Sequence, residues 1–138
     1  FAEGAFAKQI AEIEKNRNID GFVKVGNLDS VRTFSDVRDA VEAYWILLEK
    51  CRPGEVYNIG GDDTMTVGQM LEILKKKSTV KITHRIDKTL LRPSDVTLQI
   101  PDSSKFRKET GWKPKFKVSY VSNCTLTLNT SIYYLNIN

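Results

Sequence analysis

One histidine and two cysteines are all that this sequence carries of the side chains most used to bind metals and shuttle protons, and their scarcity excludes several kinds of chemistry. His84 has no serine or cysteine nucleophile signature around it, so a catalytic triad has little support and the residue reads as part of a strand. Cys51 and Cys124 stand far apart and follow no C-x-x-C or Cys/His spacing, which indicates neither a zinc site nor a disulfide framework and makes a reducing compartment the default. Neither G-x-G-x-x-G nor G-x-x-x-x-G-K-[ST] occurs, and Gly60-Gly61 is too short to cradle a phosphate. Asp62 and Asp63 are adjacent at the entrance to an expected helix, where capping explains them better than a metal does. No run approaches the roughly 20 apolar residues that span a bilayer, and the first residues lack the basic-then-apolar order of a secretory signal. The expectation is a cytoplasmic protein with no membrane partner.

What is present fits a globular chain: 138 residues, 41% hydrophobic and 28% charged, enough for one core. The net charge of +4, from 21 basic and 17 acidic residues, favours anionic partners without separating nucleotide from nucleic acid. Lys75-Lys76-Lys77 falls at the end of an expected helix, where cations suit the macrodipole. Charge stops abruptly after Lys117: 118–138 holds no charged residue and is rich in Ser, Thr, Asn, Tyr and β-branched residues. A pair of edge strands is one reading of that stretch, and an unnatural end such as a shifted reading frame is the other. It holds two glycosylation sequons, Asn123-Cys124-Thr125 and Asn129-Thr130-Ser131, expected to stay unmodified without a signal peptide. Because the chain opens on Phe1 within a helical pattern, it is expected to be a piece of a longer polypeptide.

Periodicity sets the order of elements. Phe6, Ile10 and Ile13 recur at helical spacing over 4–15; Asn16 to Gly21 supply turn chemistry; Phe22-Val23-Lys24-Val25 reads as a strand. A loop holding Arg32 follows. Asp36 is a good N-cap for a helix over 37–50, with Val37, Val41, Tyr44, Leu47 and Leu48 as its buried stripe and Cys51-Arg52-Pro53-Gly54 as its stop. Glu55-Val56-Tyr57-Asn58-Ile59 reads as a strand, Thr66 and Gln69 as a capping box opening a helix to about Lys77, and Val80 to His84 as another strand. Asp102 or Ser103 caps a last short helix, and Gly111 fits the left-handed position that closes it. Helices alternating with strands indicate an α/β fold with parallel neighbours.

The most informative stretch is Leu91-Arg92-Pro93-Ser94-Asp95-Val96, a guanidinium fork and a carboxylate three residues apart on proline-stiffened backbone. Arginine can hold two phosphate oxygens at once, and aspartate accepts hydrogen bonds from ribose hydroxyls. The plain alternative is an exposed ion pair worth on the order of 0–1 kcal/mol. A second arginine loop, Asn27 to Arg32, lies where ligands bind at the edge of open α/β sheets, so the two arginines could converge on one diphosphate.

Five stretches in order carry a resemblance over 1–118: Phe6 to Glu14 (FAKQIAEIE), Val25 to Asp39 (VGNLDSVRTFSDVRD), Pro53 to Gly60 (PGEVYNIG), Leu91 to Val96, and Thr110 to Pro114 (TGWKP). Together they resemble the C-terminal part of the GDP-mannose 4,6-dehydratase and GDP-4-keto-6-deoxy-mannose reductase group, which are extended short-chain dehydrogenases. Phe6 to Glu14 and the Arg92 stretch look slightly more like the reductase branch. The resemblance implies a Rossmann domain that binds NADP through a glycine motif, and a Ser/Thr, Tyr and Lys catalytic set, all lying before Phe1. It further implies a homo-oligomeric intact enzyme and a GDP-sugar substrate. Here it assigns Arg32 to the phosphates, Arg92 and Asp95 to phosphate and ribose, Lys8 on the first helix to the nucleotide sugar, and Asn27 to the neighbourhood of the base. Binding without turnover is expected of this chain, with no catalytic residue and no cofactor bound by its own motifs. The resemblance also makes Val56 to Ile59 a late strand of the cofactor (Rossmann) domain, with the 37–50 helix packed near it, and the remainder of 1–118 part of the smaller substrate-binding lobe. The sequence departs from the pattern at Thr33, where an aspartate usually follows the arginine, and in the tail over 119–138, which replaces a charged closing helix.

Two other classes compete. A nucleic-acid-binding module would use Lys75 to Lys77, Trp45 and Trp112, but both tryptophans read as core or hinge residues. A translated remnant of a broken gene would have no function. A cofactor domain alone needs roughly 150 residues, so marginal stability is expected; a sharp cooperative melt well above roughly 50 °C would count against it.

Overall fold

The computed structural model describes residues 2–16 and 21–117. The expectations for the 17–20 turn, for Cys124, for both sequons and for the uncharged tail lie outside the described residues. The elements run α1 (Ala2–Lys15), β1 (Phe22–Val25), β2 (Val31–Phe34), α2 (Val37–Lys50), β3 (Asp63–Thr66), α3 (Val67–Lys77), β4 (Thr83–Ile86), β5 (Leu98–Gln99) and α4 (Ser104–Thr110), with a short 3-10 turn at Lys88–Leu90. Among the described residues one compact unit is drawn from 2–30 and 66–97, and a second from 31–65 and 98–117.

In the first unit α1 buries Phe6, Ala7, Ile10, Ala11 and Ile13, and α3 buries Met70, Leu71 and Leu74. Both stripes follow the helical period. Val23 and Val25 alternate inward along β1, which pairs in parallel with β4 from Phe22↔Thr83 to Val25↔Ile86. Helix α1 is tied to β1 through Gln9, whose amide donates to the Lys24 carbonyl at 3.2 Å and accepts from the Lys24 N–H at 2.8 Å. At the far end of α1, Glu14 accepts from the Ser78 hydroxyl at 2.9 Å and the Thr79 N–H at 2.7 Å, which fixes the exit of α3.

The second unit holds a three-stranded sheet in the order β3-β2-β5, with β2 and β5 parallel in the register Val31↔Leu98 and Arg32↔Gln99. Ala43 of α2, Phe106 of α4 and Trp112 form its buried centre, joined by Ile46, Leu47, Cys51, Tyr57 and Ile59. Asp36 caps α2 by accepting from the Arg38 N–H at 2.9 Å, and its second oxygen receives the Arg38 guanidinium at 2.8 Å. Asp39 is 1% exposed, and its carboxylate is satisfied by the N–H groups of Lys115 and Phe116, both at 3.0 Å. That pins 115–116 against the first turn of α2, where the Arg38 guanidinium lies 3.6 Å over the Phe116 ring. Gly111 closes α4 at φ 73°, as its position before Trp112 and Pro114 predicts.

Local signals held and partner-dependent ones did not. The Asp36 cap, the Thr66/Gln69 capping box and the end of α3 at Lys77 stand as expected. The buried stripe of α2 is a correction: Val37, Val41, Tyr44 and Leu48 are 62–78% exposed, as is Trp45 beside them. Only Leu47 of that stripe packs inward, with Ala43 and Ile46. At about 100° per residue the two sets lie on opposite sides of the helix, so α2 has two apolar faces and periodicity alone does not say which is covered. Glu55 to Ile59 belongs to no strand, because among the described residues no neighbouring backbone completes a ladder; Tyr57 and Ile59 turn to the core while Val56 is 81% exposed. The strand expected over 80–84 begins at Thr83, where the Thr83 N–H reaches the Gly21 carbonyl at 2.7 Å and the register with β1 starts. Arg32 sits on strand β2 and not in a loop, because β5 supplies the pairing that the sequence around it does not announce.

Two stability measurements follow. Phe106→Ala should cost about 3–5 kcal/mol, as a fully buried ring loses its contacts, whereas Leu48→Glu should stay within about 0.5 kcal/mol; urea denaturation reads both, and equal losses would contradict the burial described. The guanidinium of Arg38 holds the Asp36 carboxyl below the usual carboxylate range. A lowered folded value means a contribution fully present above the unfolded value of about 3.9 and lost as the pH falls through the folded one. Between about pH 5 and about pH 2 the urea midpoint should therefore fall more steeply for the unmodified chain than for Asp36→Asn.

Candidate functional site

The residues nominated by the sequence come together partly in the first unit. After β1 the chain turns at Gly26, where the backbone passes so close to Leu90 that an added Cβ would lie 2.7 Å from the Leu90 carbonyl oxygen. The following loop is fastened to the start of α3: the Gly68 N–H donates to the Leu28 carbonyl at 2.9 Å and the Val67 N–H to the Ser30 carbonyl at 3.0 Å. Asn27 holds the loop's own shape, its Oδ1 accepting from the Asp29 N–H at 2.9 Å. Its Nδ2 donates to the Ser30 hydroxyl at 2.9 Å and to Asp95 Oδ2 at 2.8 Å, and the Ser30 hydroxyl also meets Asp95 Oδ2 at 2.9 Å.

Asp95 reaches this junction because the chain after β4 is itself anchored. The Asp87 N–H donates to the Val25 carbonyl at 2.8 Å, and the Asp87 carboxylate caps the 3-10 turn by accepting from the Thr89 hydroxyl and N–H. The Thr89 hydroxyl, more than any other group, keeps the Asp87 carboxyl below its ordinary range. From that turn the chain enters the 91–96 loop, where Arg92 is exposed and Asp95 is half-buried. Leu90, Leu91 and Val96 are exposed around them. The loop thus presents a guanidinium and an oriented carboxylate three residues apart, a set able to grip an anion and a pair of hydroxyls.

Lys8 lies exposed on α1. Arg32, half-buried on β2 in the second unit, donates from Nη1 to the Val31 carbonyl at 2.8 Å, and its neighbour Thr33 meets the Thr64 hydroxyl at 3.3 Å. His84 is the strand residue expected, with Nδ1 4.0 Å from Glu72. Asp62 forms an ion pair with Arg107 at 2.6 Å and caps nothing, because Thr66 already opens α3. Among the described residues no set of three or more His, Cys, Asp or Glu side chains is placed to hold a metal, and no helix is long and apolar enough to cross a membrane. Ser30 completes this junction and is not among the residues nominated by the sequence. The Asn27-x-x-Ser30 spacing after a strand was a signal for a tight polar loop, but nothing local ties it to Asp95.

Comparison with known proteins places this geometry in a family. A sequence model described as GDP-mannose 4,6 dehydratase matches residues 1–123. The GDP-6-deoxy-D-mannose reductase of Pseudomonas aeruginosa is 26% identical over 86% of this chain and 38% of its own length. GDP-mannose 4,6 dehydratase 1 of Arabidopsis thaliana is 32% identical over 66% of this chain and 26% of its own. Among solved structures, RMD from Pseudomonas aeruginosa complexed with NADPH superposes with a TM-score of 0.84 at 25% identity, covering 95% of this chain and 43% of that one. The UDP-glucuronic acid 4-epimerase of Bacillus cereus in complex with NAD shares the fold, with a TM-score of 0.72 at 21% identity over 94% of this chain and 40% of its own. The chain therefore spans about two fifths or less of the length of these relatives.

The close approach at Gly26 gives a test of how the site is held. Gly26→Ala must push the Leu90 backbone away, at a cost of about 1–3 kcal/mol, and should raise amide hydrogen exchange across 88–96 while leaving α1 protected. Unchanged exchange in that loop would show that the contact does not position it.

Proposed function

Because this chain belongs to the GDP-mannose 4,6-dehydratase family, within the extended short-chain dehydrogenases, we propose that it binds the nucleotide sugar, a GDP-sugar of the mannose type, and does not itself carry out hydride transfer. The observation that carries this reading is the Asp95 carboxylate, anchored by Asn27 and Ser30 while Arg92 stands exposed in the same loop. In this role Arg92 takes two phosphate oxygens in a bidentate grip, and the Asp95 carboxylate accepts from the ribose hydroxyls. Asn27 has its amide engaged with Ser30, Asp95 and Asp29, so its part is to hold the carboxylate. Arg32 and Lys8 are the further contacts to nucleotide and sugar in this reading, and each is tested singly in the same titration.

A nicotinamide cofactor is what the relatives' structures hold, NADPH in one and NAD in another. The residues here do not fit a dinucleotide cradle. Their one glycine pair is closed by packing: a Cβ on Gly60 would lie 2.5 Å from the Pro101 ring, and one on Gly61 would overlap the Phe34 carbonyl oxygen.

The nucleic-acid reading gains one observation, the exposure of Trp45. Its stripe is otherwise Val37, Val41, Tyr44 and Leu48, and the one cation that borders this face, Arg38, has its guanidinium over the Phe116 ring, so it does not make a stacking platform along a charged groove. A salt-dependent gel shift with single-stranded RNA would restore that alternative.

Calorimetric titration of the 138-residue chain with GDP and GDP-mannose tests the main reading. Arg92→Ala should weaken both by about tenfold or more, the loss of one charge-assisted phosphate contact. Equal binding by the variant and the unmodified chain would overturn it.

A further inference from the structure

Ser30 is the one buried polar residue among the described residues of the first unit, 3% exposed. Its protons can be counted. Asn27 Oδ1 accepts from the Asp29 N–H, which can only donate, and this fixes which end of the amide is nitrogen. Asn27 Nδ2 can only donate, so its two hydrogens go to the Ser30 hydroxyl oxygen and to Asp95 Oδ2. The single hydroxyl hydrogen of Ser30 is then left for Asp95 Oδ2, at 2.9 Å. One carboxylate oxygen thus takes two neutral donors from a loop that is itself bonded to the first turn of α3. A carboxylate offers about four acceptor positions, and these two donors constrain the direction of Oδ2.

We infer that Ser30 is a positioning residue for ribose recognition: its hydroxyl, with Asn27, fixes the Asp95 carboxylate so that the 91–96 loop distinguishes a ribonucleotide from one lacking the ribose hydroxyls. The inference rests on the nucleotide-binding reading above and deepens it. Residue 30 has no need to touch the ligand. It acts through Asp95, which lies in an otherwise exposed loop and is tied by this junction to a capped helix. Without the hydroxyl, Asn27 loses one acceptor and Asp95 one of the donors that direct its Oδ2.

The test compares the affinities of the 138-residue chain for GDP and for 2′,3′-dideoxy-GDP. The unmodified chain should prefer GDP by about tenfold or more, and Ser30→Ala should bring that ratio to about twofold or less while leaving dideoxy-GDP binding unchanged, since only ribose hydrogen bonds are lost. Ser30→Thr, which keeps a hydroxyl, should retain the preference. In an Asp95→Asn background Ser30→Ala should change the ratio no further, as expected if it works through that carboxylate. If Ser30→Ala melts without a cooperative transition, Ser30→Cys fills the same space with a weak donor and should lose the preference likewise. A ratio unchanged in these variants, or an equal fall in affinity for both nucleotides, overturns the positioning role alone. Failure of the unmodified chain to bind GDP overturns the nucleotide reading and this inference with it.

Discussion

The first turn of a helix has N–H groups with no partner inside the helix, and the candidate site is built on how α3 satisfies its own. Val67 donates to the Ser30 carbonyl and Gly68 to the Leu28 carbonyl, while the Thr66 hydroxyl takes the Gln69 N–H in a capping box. Two of these three acceptors belong to the loop after β1. The loop is therefore held by the helix's need for acceptors, and a displaced loop would leave two helix donors to find others. From that base the Asn27 and Ser30 side chains face a carboxylate more than sixty residues onward. A carboxylate on an otherwise exposed loop is thereby tied to a helix terminus, and a group ordered in advance carries a lower ordering cost in any contact it makes.

The second unit solves a different problem, keeping a strand-like segment in place without a strand beside it. Glu55 to Ile59 is fixed by burial of Tyr57 and Ile59 against Phe106 and by side chains of α4. Lys105 pairs with Glu55 at 2.6 Å and donates to the Val56 carbonyl, and Arg52 pairs with Glu109 at 2.9 Å. These pairs are exposed and contribute little. They do shift their members in the expected sense: the Lys105 hydrogen bond draws the Glu55 carboxyl below its usual range, and Glu55 raises the Lys105 ammonium. The aromatic contacts carry more, with Phe106 set between Tyr57 at 6.2 Å and Trp112 at 5.5 Å between ring centroids. Arg107 adds order at the same place by reaching Asp62, the Gly60 carbonyl and the Ser103 hydroxyl, so the glycine pair is shaped by packing.

What the sequence disclosed and what it concealed divide along the range of the interactions. The Asp36 cap, the capping box and the Gly111 terminus depend on residues within a few positions of one another, and each was legible. The apolar faces of α2 were legible as faces, but which of them is buried depends on Phe106 and Trp112, more than fifty residues away. Arg32 reads as a loop residue because the strand it joins is completed by Leu98 and Gln99. Glu55 to Ile59 has the alternation of a strand, and alternation records what a segment can pair with and not whether a partner is beside it.

The site shows the same division more sharply. Arg92 and Asp95 are three residues apart and could be nominated by residue type, since phosphate and ribose need a guanidinium and a carboxylate. Ser30 could not, because an isolated serine after a strand has many local uses and its partner is 65 residues distant. The structure converts residue type into geometry by giving that serine a single place for its proton. Polar residues that orient a binding group from behind carry no motif of their own. They become visible only when donors and acceptors are counted at a buried junction, and here that count leads from the helix terminus through Ser30 to Asp95.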